Sequence, residues 1–305
     1  MASTGASAFT PNDAERRAGL IAVAVAHIMW GFLPLYLKLV QDVDVREVLA
    51  QRIIWSIPAA LIAVFAFSGV KRGLREIGAA MRPGMLGALT LSALFICANW
   101  GAYVWLVMEA RVIEASLAYF LSPLIGVAIG VVFFGETLRT SQTLALLLAA
   151  VGVIVQGVAL GGVPWPTLFL CLTWSLYAVI RKRAPVPAAT GLLVETLALA
   201  PIAGVLLWWA AQSAPIALGA DLNHTLLLML AGPITAIPLM AFAFGARRVS
   251  FVALGLLQFL TPTLQFSIGI AFGEPFTLLR AVSFTLIWAG LGLFAWDTWK
   301  RTHNA

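Results

Sequence analysis

Ten apolar stretches divide this chain, and most approach the roughly 20 residues that an α-helix needs to cross a bilayer. They run Gly19–Leu39, Val48–Phe67, Gly84–Met108, Val112–Phe134, Thr140–Leu160, Trp165–Ile180, Gly191–Ala211, Thr225–Ala246, Phe251–Phe272 and Leu278–Trp299. The connections between them are short. Gly135–Glu136 turns the fourth into the fifth, and Gly273–Glu274–Pro275 turns the ninth into the tenth. No fold in water accommodates such a pattern. Charged residues are 10% of the chain and hydrophobic residues 61%, whereas a soluble domain is roughly 25% charged. The expectation is an all-α membrane protein of ten spans, with the lipid bilayer as its solvent. The spans use roughly two thirds of the chain, which leaves no room for a soluble catalytic or energy-converting domain. The first stretch is longer than the roughly 7–15-residue apolar core of a cleavable signal peptide. It follows a polar tail with Asp13, Glu15, Arg16 and Arg17, and reads as a permanent span.

The net charge of +6 lies between the spans, as a topology signal does, and does not point to nucleic acid. With the N-terminus inside, the inner segments hold 14 of the 19 basic residues, including Arg16–Arg17, Lys71–Arg72, Arg181–Lys182–Arg183, Arg247–Arg248 and Lys300–Arg301. The outer segments hold Lys38, Arg46, Arg111 and Arg280, and Arg52 lies within a span. This asymmetry obeys the positive-inside rule and places both termini in the cytoplasm. Cys97 and Cys171 both fall in apolar runs, so neither a disulfide framework nor a metal site is expected.

The chain repeats itself. Phe120–Leu121–Ser122–Pro123 returns 139 residues later as Phe259–Leu260–Thr261–Pro262. Phe134–Gly135–Glu136 returns after 138 as Phe272–Gly273–Glu274, and Gly152 and Gly290 keep that offset. Each copy contains five spans. Five is odd, so the second copy enters the membrane from the opposite side, the inverted repeat of many secondary transporters. The expected halves are 19–162 and 163–299, flanked by short cytoplasmic tails at 1–18 and 300–305.

No zinc-protease helix, nucleophile elbow or phosphate-binding loop occurs, which argues against an enzyme and against direct use of ATP. Charges within spans cost about 2.5–3.5 kcal/mol on insertion scales, so they tend to line cavities or pair. Arg52, Glu114 and Glu195 qualify. Arg52 and Glu195 each stand six residues before a proline, Pro58 and Pro201, and so occupy equivalent positions in the two halves. Arg52 and Glu114 both lie toward the outer side and are the expected charge pair. Pro123 and Pro262 free a carbonyl at matched positions and are expected to kink their helices. Trp30, Asn99, Tyr103, Tyr119, Trp174, Tyr177 and Gln258 lie inside spans. Together with Glu195 they are the candidate walls of a central site for an amphipathic solute. Trp208, Trp209, Trp296 and Trp299 lie near span ends, as in interfacial belts. Gly126-x-x-x-Gly130, Gly157-x-x-x-Gly161 and Gly269-x-x-x-Gly273 suit close helix packing, with a monomer or weak homodimer expected.

Several motifs together resemble a known family. They are Trp30-Gly31-x-x-Pro34, Arg52-x-x-Trp55-Ser56, Asn99-Trp100, Glu114-Ala115-Ser116-Leu117-x-Tyr119-Phe120-x-x-Pro123, Gly191-x-x-x-Glu195-Thr196, Gln258-Phe259-x-x-Pro262 and the two Gly-Glu turns. The chain resembles the EamA family of the drug/metabolite transporter superfamily, and within it the RarD-type permeases. The resemblance covers nearly the whole chain. It implies ten helices in two inverted halves, a central cavity, alternating access, and export of a metabolite or drug-like molecule across the bacterial inner membrane without a cofactor. A lipid-linked flippase or nucleotide-sugar-type exchanger would use the same scaffold, but a nucleotide-sugar site wants several mid-membrane cations and only Arg52 is present. An intramembrane enzyme or a non-transporting sensor are the readings of other classes.

Overall fold

The computed structural model describes residues 12–108, 112–159, 165–271 and 278–303. The described chain is helical, with no strands. Asn12 starts the first helix, α1 (Asp13–Leu39), through a capping box: its side chain accepts from the Glu15 N–H at 2.9 Å, and the Glu15 carboxylate accepts from the Asn12 N–H at 3.0 Å. Two otherwise unpaired N–H groups are thereby satisfied. Asp44 caps α2 (Val45–Ser68), which ends at Gly69 with φ 70°. That left-handed conformation suits glycine and turns the chain directly into α3 (Val70–Ala80).

The apolar stretches leave no place for α3, because it is short and carries Lys71, Arg72, Arg75 and Glu76. Glu76 holds it in place. Its carboxylate accepts from Ser68 at 2.7 Å, from Arg72 at 2.8 Å and from Thr190 at 3.3 Å. The chain continues through α4 (Pro83–Met108), α5 (Val112–Phe134), α6 (Thr140–Ala159), α7 (Trp165–Arg183), α8 (Ala188–Ala211) and α9 (Leu222–Ala246). The ninth stretch is two helices, α10 (Phe251–Leu257) and α11 (Leu260–Ala271), followed by α12 (Leu278–His303).

The two prolines of the repeated block act differently. α5 runs through Pro123 without interruption, whereas the chain breaks at Gln258–Phe259, one turn before Pro262. Pro262 has no N–H for the Gln258 carbonyl, which instead accepts from Thr261 N–H at 3.2 Å.

Five helices, α1, α2, α4, α8 and α9, are long and apolar enough to cross a membrane, and shorter apolar stretches lie in α5, α6 and α10–α11. Their outer faces carry large exposed apolar side chains such as Ile62, Phe67, Val132, Val158 and Trp208. The principal contacts pair α2 with α8, α5 with α10, α6 with α12, α1 with α9 and α11, and α4 and α5 with α7. Glycine permits the closest of these. A Cβ on Gly232 would sit 2.2 Å from the Trp55 carbonyl, and one on Gly255 would sit 2.7 Å from the Pro123 oxygen. Gly126 meets the Gly255 backbone and Gly130 meets Phe251, so the first small-residue motif packs α5 on α10. In the other two motifs, Gly161 and Gly273 lie outside the described residues.

Side-chain bonds tie the helix ends into two faces. Glu136, Lys182, Val186 and Ala246–Val252 meet at the end bearing the N-terminal tail, here the tail face. Asp42, Glu47, Ala217–Leu218 and His224 meet at the opposite, far face.

Candidate functional site: a central aromatic cavity

Near the middle of the bundle, Trp30 of α1 and Trp174 of α7 meet edge to face with centroids 5.2 Å apart. Phe242 of α9 lies 5.9 Å from the first ring and 5.1 Å from the second. His27 lies one turn before Trp30, 5.1 Å from its ring. Above this cluster, toward the far face, a cavity holds about 140 Å³ of solvent-accessible space. One water needs about 10–15 Å³ on that measure, so the space suits an organic solute.

Each wall follows from helical spacing. On α1, His27, Trp30, Pro34 and Leu37 recur at three- to four-residue intervals and face the cavity. α4 supplies Asn99, Trp100 and Tyr103, and α5 supplies Ala118, Tyr119 and Ser122. Arg52 comes from α2, and Leu170 and Trp174 come from α7. The broken ninth segment brings Gln258, Thr261 and Gln265. Six of the eight expected wall residues therefore line one space: Trp30, Asn99, Tyr103, Tyr119, Trp174 and Gln258. Tyr177 and Glu195 do not. They lie behind the tryptophans, at a small void shared with Arg52, Trp100 and Thr235. Tyr177 is buried there with its ring stacked on Phe242.

The polar walls are mostly fixed. Asn99 donates to the Leu170 carbonyl at 2.7 Å and to Thr173 Oγ1 at 3.0 Å, tying α4 to α7. Gln265 donates to the Trp30 carbonyl at 3.3 Å. The Tyr103 and Tyr119 rings meet at 5.9 Å. Arg52 Nε donates to Thr235 Oγ1 at 2.9 Å, and the guanidinium sits 4.6 Å over the Trp100 ring. Among the described residues no carboxylate forms an ion pair with Arg52. Glu114 belongs to α5, but its side chain lies outside the described residues, and so does its expected pairing with Arg52.

Three residues escaped the sequence reading. His27 and Thr261 bond twice: the Thr261 hydroxyl donates to the His27 carbonyl at 2.9 Å, and His27 Nδ1 lies 3.1 Å from Thr261 Oγ1. The signal was present, since His27 continues the Trp30–Pro34 face one turn earlier. The third is Arg181, read from sequence as an inner-loop cation. It is buried, and its Nε forms an ion pair with Glu195 Oε1 at 3.6 Å, while the same oxygen accepts a hydrogen bond from Ser92 Oγ at 2.6 Å. Arg181 extends the Trp174–Tyr177 face by one more turn. Gly191 leaves room for the guanidinium, because a Cβ there would lie 2.0 Å from Arg181 Nη1.

Beyond that ion pair the tail face is latched. Gly135, with φ 63°, ends α5. Its neighbour Glu136 does not cap the helix that follows, as the Gly-Glu turn suggests. Its carboxylate accepts from the N–H groups of Phe251 at 2.6 Å and Val252 at 2.8 Å, at the start of α10. Lys182 donates to the carbonyls of Ala246 and Val249 where α9 ends. At the far face, Glu47 accepts from the Ala217 and Leu218 N–H groups, each at 2.9 Å. His224 joins Asp42 to Asp221. The hydrogen bond from His224 holds the Asp42 carboxyl below the usual carboxylate range, and the His224 backbone N–H does the same for Asp221.

The EamA-like transporter family model matches residues 17–157. The chain is 39% identical to the uncharacterized transporter YojE of Bacillus subtilis, across 96% of this chain and 99% of that protein. It is 37% identical to the protein RarD of Salmonella typhi, across 93% and 96%, and 34% identical to RarD of Escherichia coli, across 94% and 98%. A solved crystal structure, 22% identical, superposes with a TM-score of 0.71 over 90% of this chain and 96% of its own, a likeness of fold alone.

Proposed function

The chain belongs to the EamA transporter family, among its RarD-type members, and is a multi-pass membrane transporter rather than an enzyme; on that premise we propose that the central cavity carries a small organic metabolite or drug-like molecule outward by alternating access. The observation that carries this reading is where the cavity lies. Trp30 and Trp174, 144 residues apart, touch at its base. Arg52 and Glu195 stand at a nearly equal offset of 143. The principal helix contacts also pair under exchange of the two sets of five spans: α1 with α9 matches α7 with α4, and α5 with α7 matches α10–α11 with α1. This supports two inverted halves, 19–162 and 163–299, with the solute between them.

In this reading both termini are cytoplasmic and the protein sits in the inner membrane. The tail face is then the cytoplasmic one. Three layers close it: the Trp30–Trp174–Phe242 cluster, the Arg181–Glu195 pair and the Glu136 latch. The conformation described is accordingly outward-facing, and the halves rock against each other to expose the cavity inward. Arg52 with Glu114 guards the outer mouth, and the chain break before Pro262 is a point of flexure. Pro123, in an unbroken α5, gives the first half a stiffer counterpart. A single cavity-lining cation among the described residues disfavours the nucleotide-sugar reading.

The test is a thermal-shift panel of metabolites and drug-like compounds on the purified protein, since a ligand stabilises the state it binds. Compounds that stabilise it are then assayed for uptake into liposomes. Tyr119→Ala and Gln258→Ala should each weaken binding about tenfold, the loss of about 1.4 kcal/mol, without loss of expression. Normal transport by both variants would rule out the central site.

A further inference from the structure

Arg52 is the one charged side chain among the described residues lining the cavity, and it is 8% exposed. A guanidinium stays protonated at every physiological pH. A buried charge without a counter-ion is costly, so the surroundings of Arg52 bear on what the cavity takes. Thr235 holds Nε and the Trp100 face lies against the guanidinium plane. Those contacts fix the group's orientation and leave its two terminal nitrogens as a fork, the geometry that binds a carboxylate through two parallel bonds.

Two further atoms in the same walls lack a partner, and both are acceptors. Gln258 Oε1 is buried and receives no hydrogen bond. His27 Nε2 is also buried and unpartnered, and its state follows from Thr261. The one hydroxyl proton of Thr261 goes to the His27 carbonyl. Thr261 Oγ1 can then only accept from His27 Nδ1, so Nδ1 carries the ring proton and Nε2 presents a lone pair. Both acceptors are closed off from the cavity in this conformation, so what the cavity itself offers is a cationic fork and aromatic walls.

We propose that the solute is an aromatic carboxylate. The carboxylate binds Arg52, and the ring lies among Trp30, Tyr119 and Trp174. This rests on the reading of the cavity as the transport site and adds a charge to its occupant. A neutral solute would make no use of the charge on Arg52, and a cation would be repelled by it.

Three probes share one ring and one N–H and differ in charge: indole-3-acetate, indole-3-acetamide and tryptamine. Their binding to the purified full-length protein at neutral pH is read by thermal shift and calorimetry. The acetate should bind at least about tenfold more tightly than the amide, with no binding of the amine. Arg52→Gln should erase that preference and Arg52→Lys should keep part of it. Equal affinity for acetate and amide, survival of the preference in Arg52→Gln, or binding of none of the three would overturn the proposal. If Arg52→Gln fails to fold, the probe series on the unmodified protein decides alone. Charge-blind binding that disappears in Tyr119→Ala would sink the carboxylate and leave the central site standing. Binding indifferent to both Tyr119→Ala and Gln258→Ala would sink the central site itself.

Discussion

Arg52 and Glu195 each stand six residues before a proline, yet their neighbours differ. Glu195 is held between Arg181 and Ser92, while Arg52 is held by a hydroxyl and an aromatic face. Removing one partner of a buried pair leaves an uncompensated charge and costs about 3–5 kcal/mol, whereas removing both costs far less. Arg181→Met should therefore lower the melting temperature in detergent sharply, and adding Glu195→Leu should recover much of the loss. Recovery no better than additive would argue against the pair. If Glu114 holds Arg52 while the carrier is empty, Arg52→Gln and Glu114→Gln should couple by about 0.5–3 kcal/mol without solute, and the coupling should fall once a carboxylate competes for the guanidinium. Additivity in both conditions would remove Glu114 from the gate. At the far rim, the His224 bond lowers the folded-state pKa of Asp42. Its contribution is present above the unfolded value of about 3.9 and is lost as pH falls through the lower folded value. Asp42→Asn should remove that contribution, lowering stability at neutral pH and flattening its decline in strong acid, as acid melts would record.

The helices make their tightest contacts where glycine removes a side chain. The Trp55 carbonyl that approaches Gly232 is main chain and cannot swing aside. Gly232→Ala should cost about 1–3 kcal/mol through overpacking, measured as a loss of thermal stability. Gly78 on α3 has nothing within 4 Å of an added Cβ, and Gly78→Ala should be neutral or stabilising by about 0.5–1 kcal/mol. Equal effects at the two sites would contradict the close crossing of α2 and α9. At the tail face one carboxylate joins α5 to α10. Glu136→Gln keeps only one acceptor for the two N–H groups of Phe251 and Val252. The expected result is faster labelling of a Ser122→Cys reporter by an impermeant thiol reagent applied from the cytoplasmic side, in a background without Cys97 and Cys171. Unchanged labelling would show that Glu136 does not hold the face shut.

For the whole molecule, the distribution of basic residues and the helix contacts bear on the proposed inverted arrangement by separate routes. Charge asymmetry orients the loops, and contact pairing relates the halves without reference to charge. Reporter fusions after Arg82, Arg183 and Arg248 should report cytoplasm, and fusions near Gly162 and Asp221 should report periplasm. A periplasmic signal after Arg183 would break the inverted arrangement.

Polar and aromatic side chains inside apolar spans made most of the cavity legible in advance, because such groups seldom face lipid. Trp30, Asn99, Tyr103, Tyr119, Trp174 and Gln258 stand out on that ground, and helical spacing puts Asn99 and Tyr103 on one face. By itself the sequence determined that lipid is the solvent, that the chain is a helical transporter of its family, and that its blocks repeat. Each follows from composition or local order, which survives without knowledge of the packing. Only the tertiary structure decided which polar groups meet. Arg181 reads as a loop cation until Gly191 on the next helix makes room for it beside Glu195. Tyr177 shares a face with Trp174 but turns behind the tryptophans, because a helical face is wide enough to serve two neighbours. Gly-Glu reads as a local turn, yet Glu136 caps a helix 115 residues away. Such partners are chosen by the approach of helices distant in sequence, and no spacing along one chain encodes that distance.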